Sequence, residues 1–167
     1  MTLSKKLPDV VASLALVIGL AACSQQAPES DKAAAGTDVA APSPVAARQA
    51  EFKRIGAANK AIGDQLKEPA PSAEIVRTNA AIIARLAPQV PSWFPAGSGA
   101  VAGEETEALP AIWERNEEFA LRAADFARAA DALEAAASAG DAAQIRAASQ
   151  ALGQTCKSCH TVFRAKK

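Results

Sequence analysis

Residues 152–164 read Leu-Gly-Gln-Thr-Cys-Lys-Ser-Cys-His-Thr-Val-Phe-Arg, and the spacing of Cys156, Cys159 and His160 decides how the rest of the chain is read. On a helix, Cys156 and Cys159 are three apart and share a face, with His160 four on from Cys156. One side of a helix can therefore hold the edge of a flat ring while aiming an imidazole at its centre. C-x-x-C-H is the attachment pattern of a c-type haem, in which two thiols add across two vinyl groups and the adjoining imidazole binds the iron. A redox dithiol would need a βαβ pattern around it, which the chain lacks. A zinc site needs about four ligands, and only Cys23 remains, far away. A chance occurrence or a plain thiol role is the remaining alternative. His160 is the one histidine and Met1 the one methionine, so the usual side chains for a second axial bond to iron are missing.

The front of the chain speaks to compartment. Lys5 and Lys6 give a basic start, residues 10–20 form an uncharged apolar stretch, and Leu20-Ala21-Ala22-Cys23 closes it. That is the layout of a secretory signal over residues 1–22, with an apolar run too short for a comfortable membrane span. Its ending resembles the lipobox of bacterial lipoproteins, which leaves Cys23 as a lipidated N-terminus. An ordinary signal with a spare thiol at Cys23 is the other reading. Ser24 after the cysteine, by the same resemblance, favours the outer membrane of a Gram-negative bacterium. Residues 23–46, rich in Ser, Gln, Ala, Pro and Gly, are expected to be a tether without a periodic apolar face.

Residues 47–167 are enough for one core. Half of the chain is hydrophobic, much of it alanine, and there is no tyrosine. Alanine at this density, with few β-branched runs, means helices. A formal net charge of zero and the lack of a basic stripe with interleaved aromatics argue against a nucleic-acid partner.

Four amphipathic segments follow. The first, about 46–67, aligns Phe52, Ile55, Asn59, Ile62 and Leu66. The second starts at the Pro71-Ser72 lead-in, runs to about residue 87 and aligns Ile75, Asn79, Ile82 and Leu86. The third begins at Asn116 as N-cap, aligns Phe119, Ala123, Phe126, Ala130 and Leu133, and stops at Gly140. Asp141 caps the fourth, which carries Ile145, Ala148, Leu152, Cys156, Cys159 and Phe163 on one side. The cysteines thus share the core stripe. Residues 89–115 form a long connection holding Trp93 and Trp113, expected to fold back on the bundle end or the haem edge, with ligand gating as the alternative.

This layout resembles the cytochrome c′ family, the class II c-type cytochromes. The matching pieces are Arg48-Gln49-Ala50-Glu51-Phe52, Trp93-Phe94-Pro95, Ala108-Leu109-Pro110-Ala111-Ile112-Trp113 and Thr155-Cys156-Lys157-Ser158-Cys159-His160-Thr161-Val162-Phe163-Arg164. The resemblance implies an all-α, antiparallel four-helix bundle with haem c attached near the C-terminus of the last helix. It also implies that Arg48 helps hold a haem propionate, that Phe52 sits over the distal face of the iron, and that Arg164 passes the proximal side beside His160. Phe52 could instead be a core aromatic, and Arg164 a solvated cation at the negative end of a helix. Lys166 and Lys167 read as solvated helix-end charges.

Phe52 has no lone pair to give, where some class II members have methionine. The expected function is therefore that of a periplasmic, lipid-anchored, non-enzymatic haem protein with five-coordinate high-spin iron. It would exchange single electrons and bind nitric oxide or carbon monoxide. A dedicated electron shuttle between membrane and periplasmic partner proteins is the alternative. Peroxidase chemistry would need a distal acid/base group, and no second histidine is present. The resemblance also allows a homodimer paired through the first two helices.

Overall fold

A computed structural model describes residues 41–100 and 104–166. The leader, Cys23 and most of the expected tether lie outside the described residues. Four long helices carry the fold: α1 (Pro44–Gln65), α2 (Ala73–Leu86), α4 (Asn116–Ala139) and α5 (Ala142–Phe163). A 3₁₀ turn (Ala87–Trp93) and a short helix α3 (Ala111–Glu114) lie in the connection between α2 and α4. The all-α bundle expected from the four stripes is what the chain forms.

Local chemistry sets the helix ends. α1 starts at Pro44, two residues earlier than the stripe predicts, because Ser43 caps it by accepting from the Ala46 N–H at 3.1 Å while Pro44 is preorganised for a first turn. Ser72 caps α2 as expected. Asn116 is the first residue of α4 rather than its cap; Arg115, with φ −119° and ψ 49°, takes the flanking position. Gly140 ends α4 at φ 77°, a left-handed conformation suited to glycine, and the Asp141 carboxylate accepts from Ala143 and Gln144 to start α5.

Packing runs from α1 to α2, from α2 to α4, and from α4 to α5. Ile62, Val76, Ile83, Leu86, Leu133 and Leu152 are fully buried at the centre. The phases expected for α4 and α5 hold: Phe119, Ala123, Phe126, Ala130 and Leu133 are buried, as are Ile145, Leu152 and Phe163. Two phases are corrected. In α1, Ala58 is buried and Asn59 is exposed. In α2, Val76, Ala80 and Ile83 face inward, while Ile75 is 40 % exposed and Asn79 turns its amide to the Ile75 carbonyl at 2.8 Å. The pairs Ile75/Val76 and Ile82/Ile83 each offer two neighbouring apolar positions, so period alone cannot choose between stripes one residue apart. Packing against α1 on one side and α4 on the other makes the choice.

Candidate functional site

On α5 the motif begins one turn after the fully buried Leu152. Cys156 and Cys159 are half-buried against the core and not joined to each other, while Lys157 and Ser158 point to solvent as expected of spacers. Three hydroxyls bond back onto this part of the helix: Thr155 to the Leu152 carbonyl at 2.7 Å, Ser158 to Thr155 at 3.0 Å, and Thr161 to Lys157 at 2.8 Å. From α4, Arg122 donates to the Ser158 carbonyl at 3.4 Å while paired with Glu118 at 2.8 Å. Burial pushes both thiols above their ordinary pKa, an effect the Arg122 charge partly offsets at Cys159.

His160 follows on the solvent side of α5 and is exposed by surface area. Nearby protein atoms still desolvate the ring enough to lower its pKa; the Arg164 charge acts in the same direction and the Glu107 charge opposes it. The imidazole lies in a shallow, solvent-open depression with Lys157, Thr161, Arg164, Ala165 and Lys166. Arg164 ends α5, and its backbone N–H donates to the His160 carbonyl at 3.2 Å. Its side chain, though exposed, is ion-paired to Glu107.

Two further expected site residues lie on α1. Arg48 is 2 % exposed, a buried cation on the solvent-rich first helix. Its Nη1 donates to the Ser98 carbonyl at 2.7 Å and the Ser98 hydroxyl at 3.2 Å, and its Nη2 to the Thr106 hydroxyl at 3.0 Å. The guanidinium also lies 5.0 Å from the centre of the Phe94 ring. Burial lowers its pKa and the Glu104 charge opposes the shift. In this structure Arg48 pins the long connection. Replacing it with leucine would leave the buried Ser98 carbonyl without its partner, while the Ser98 and Thr106 hydroxyls keep Pro95 and Ala108, so Arg48→Leu is expected to lower unfolding stability by about 1–3 kcal/mol, measured by urea titration. Lysine, lacking the planar fork, should recover only part of the loss.

Phe52 is half-buried one turn after Arg48. Its ring meets Trp93 edge-on at 5.2 Å and Phe94 at 6.1 Å. Phe94 in turn meets Phe119 at 5.1 Å, and Phe119 meets Phe163 at 5.3 Å. One run of aromatic contacts therefore joins α1, the connection, α4 and α5. The connection packs down as expected, with Ile112 buried and the Trp113 indole N–H donating to the Phe94 and Pro95 carbonyls at 3.3 and 3.1 Å.

Among the described residues, α1 and α5 share no interface comparable with the other three helix pairs. On α5 the thiols lie on the core stripe and the imidazole follows one residue beyond them, toward solvent. A flat, covalently held tetrapyrrole fits that donor set, with two thiols for its edge and one neutral nitrogen for its metal. Sequence reasoning missed Ser98, Thr106, Glu107 and Arg122. Each meets its partner across at least 36 residues of chain, and no spacing rule reaches that far.

Comparison with known proteins adds to the geometry. The family model described as Cytochrome C′ matches residues 43–164. The cytochrome c′ of Pararhodospirillum photometricum is 38 % identical over 117 residues, covering 70 % of this chain and 92 % of that protein. Among solved structures, cytochrome c′ from Thermochromatium tepidum superposes with a TM-score of 0.71 at 30 % identity, covering 76 % of this chain and 100 % of that one. A carbon monoxide-bound variant of the Alcaligenes xylosoxidans protein matches at a TM-score of 0.66 and 28 % identity, covering 74 % and 94 %.

Proposed function

Because this chain belongs to the cytochrome c′ family and carries its covalently attached haem c, we propose that it is a periplasmic gas-binding haem protein whose iron has an open sixth position. In this reading Cys156 and Cys159 hold the haem by thioether bonds and His160 takes the proximal axial position. The haem, when bound, would supply a redox-active iron able to take up a small gas. The chain's own part is to hold, orient and exclude. The aromatic cluster of Phe52, Trp93 and Phe94 keeps the distal side apolar, which disfavours bound water and admits nitric oxide or carbon monoxide. Arg48 offers a fixed positive charge near that side for a propionate, and Arg164 a second beside His160.

The observation that carries this reading is the donor inventory. The one histidine lies inside the motif, the one methionine is Met1, and the residue one turn after Arg48 is Phe52. The carbon monoxide-bound relative lends support to the ligand class. An optical spectrum of the reduced holoprotein tests it. Broad high-spin bands that sharpen on adding carbon monoxide are expected, and sharp low-spin bands before addition would overturn it.

The leader supports export, with Cys23 as a lipid-bearing anchor point on the outer membrane. Among the described residues no helix is long and apolar enough to cross a membrane. A solved cytochrome c′ described as having an unusual ligand-controlled dimer dissociation supports pairing of two copies.

A further inference from the structure

We infer that Glu107 is a positioning residue of this site: its ion pair holds the Arg164 guanidinium beside His160 and so tunes the reduction potential of the iron. The inference rests on the reading of His160 as the axial ligand. It goes beyond that reading by naming a residue from the long connection that acts on the proximal side.

The contact is built from both backbone and side chain. One Glu107 carboxylate oxygen accepts from Arg164 Nε at 2.5 Å and pairs with Nη2 at 2.5 Å. With side chains 37 % and 44 % exposed, such a pair alone would contribute little, because water screens it and two long side chains must be immobilised. Here the main chains are already in register. The Leu109 N–H donates to the Phe163 carbonyl at 3.0 Å, the Ala165 N–H donates to the Glu107 carbonyl at 2.8 Å, and Ala108 and Arg164 form an isolated antiparallel bridge. Phe163 is itself buried, edge-on to Phe119. Much of the ordering that a surface pair normally requires is therefore met by the backbone.

The consequence falls on His160. Arg164 lies one turn beyond it, at the edge of the same open surface depression, close enough for its charge to act on the ring. Oxidation adds one positive charge at the iron, so a cation held nearby disfavours the oxidised form and raises the potential. An arginine at the end of an unclasped helix would swing into water and lose most of that influence. Glu107 keeps it in place, 57 residues away in sequence.

The test is a double-mutant cycle on the holoprotein, read by the midpoint potential. Arg164→Gln is expected to lower the potential in the otherwise unchanged protein and to shift it several-fold less in a Glu107→Gln background, where Arg164 is already released. In a Glu107→Asp background, which keeps the charge, most of the Arg164→Gln shift should return. Glu107→Ala, which also removes the pair, takes the place of Glu107→Gln if that variant folds poorly. Equal shifts in the Glu107→Gln and unchanged backgrounds would mean that Glu107 acts only as a separate charge or as a structural clasp, and would overturn the inference. Absence of any Arg164→Gln shift would overturn it too. Neither result touches the open-site reading, which stands or falls on the spectrum of the unmutated protein.

Discussion

A Cys156→Ala/Cys159→Ala protein is expected to lose covalent haem completely, so that denaturing mass spectrometry shows only the bare polypeptide. Each thioether needs one thiol, and among the described residues there are no other cysteines to substitute. Each single variant should keep one bond and a haem-bearing mass. The double change removes two sulfur atoms from half-buried positions and leaves the buried centre at Ile62, Ile83, Leu133 and Leu152 untouched. Helical content by circular dichroism should therefore fall much less than haem content. His160→Ala separates attachment from ligation: covalent mass persists while the optical spectrum changes. A covalent haem adduct on the double variant would refute the assignment of these cysteines.

The second large effect is expected at Phe52. Phe52→Ala should accelerate carbon monoxide binding to the reduced protein roughly 10- to 100-fold, followed by flash photolysis or stopped flow. A ring over the iron must move before a ligand enters, and each tenfold in rate corresponds to about 1.4 kcal/mol removed from that barrier. The same change removes the edge-on contact with Trp93 and the tilted one with Phe94. A stability loss of about 2–3 kcal/mol, at the lower end for a buried aromatic because Phe52 is only half-buried, should accompany it. Phe52→Met gives the complementary result. A thioether one turn after Arg48 could bond the iron, so the reduced spectrum should turn low-spin. If Phe52→Ala lowers stability and leaves the carbon monoxide rate unchanged, Phe52 is a core aromatic and no more.

Much of the bundle is legible in local sequence. The α4 stripe from Phe119 to Leu133, the Gly140 stop, the Asp141 cap and the α5 stripe were read correctly, because each depends on residues within a turn or two of one another. The packing-down of Trp93 and Trp113 followed from the length of the connection and its aromatic content. The α2 face was misread by one residue, since Ile75 and Val76 satisfy the helical period equally well and only contact with α1 and α4 selects Val76. The start of α1 escapes the stripe because Ser43 and Pro44, which cap it, have the composition of the preceding tether.

For the site, the three motif residues and Arg48, Phe52 and Arg164 were visible as spacing and resemblance. Their surroundings were not. Nothing local announces that Arg48 would be buried on Ser98 and Thr106, or that Glu107 would clasp Arg164.

The sequence by itself determined the chemistry on offer: two thiols and an imidazole within five residues, no further histidine, and a phenylalanine one turn after Arg48. It also determined four helices, because helix periods and caps are written in neighbouring residues. Tertiary structure alone decided which face of α2 is core, where the Arg48 charge is satisfied, and what holds Arg164 beside His160. Those outcomes depend on pairs 50 to 58 residues apart and on competition between helix faces. Such pairs have no period to read, and they exist only once the helices are packed.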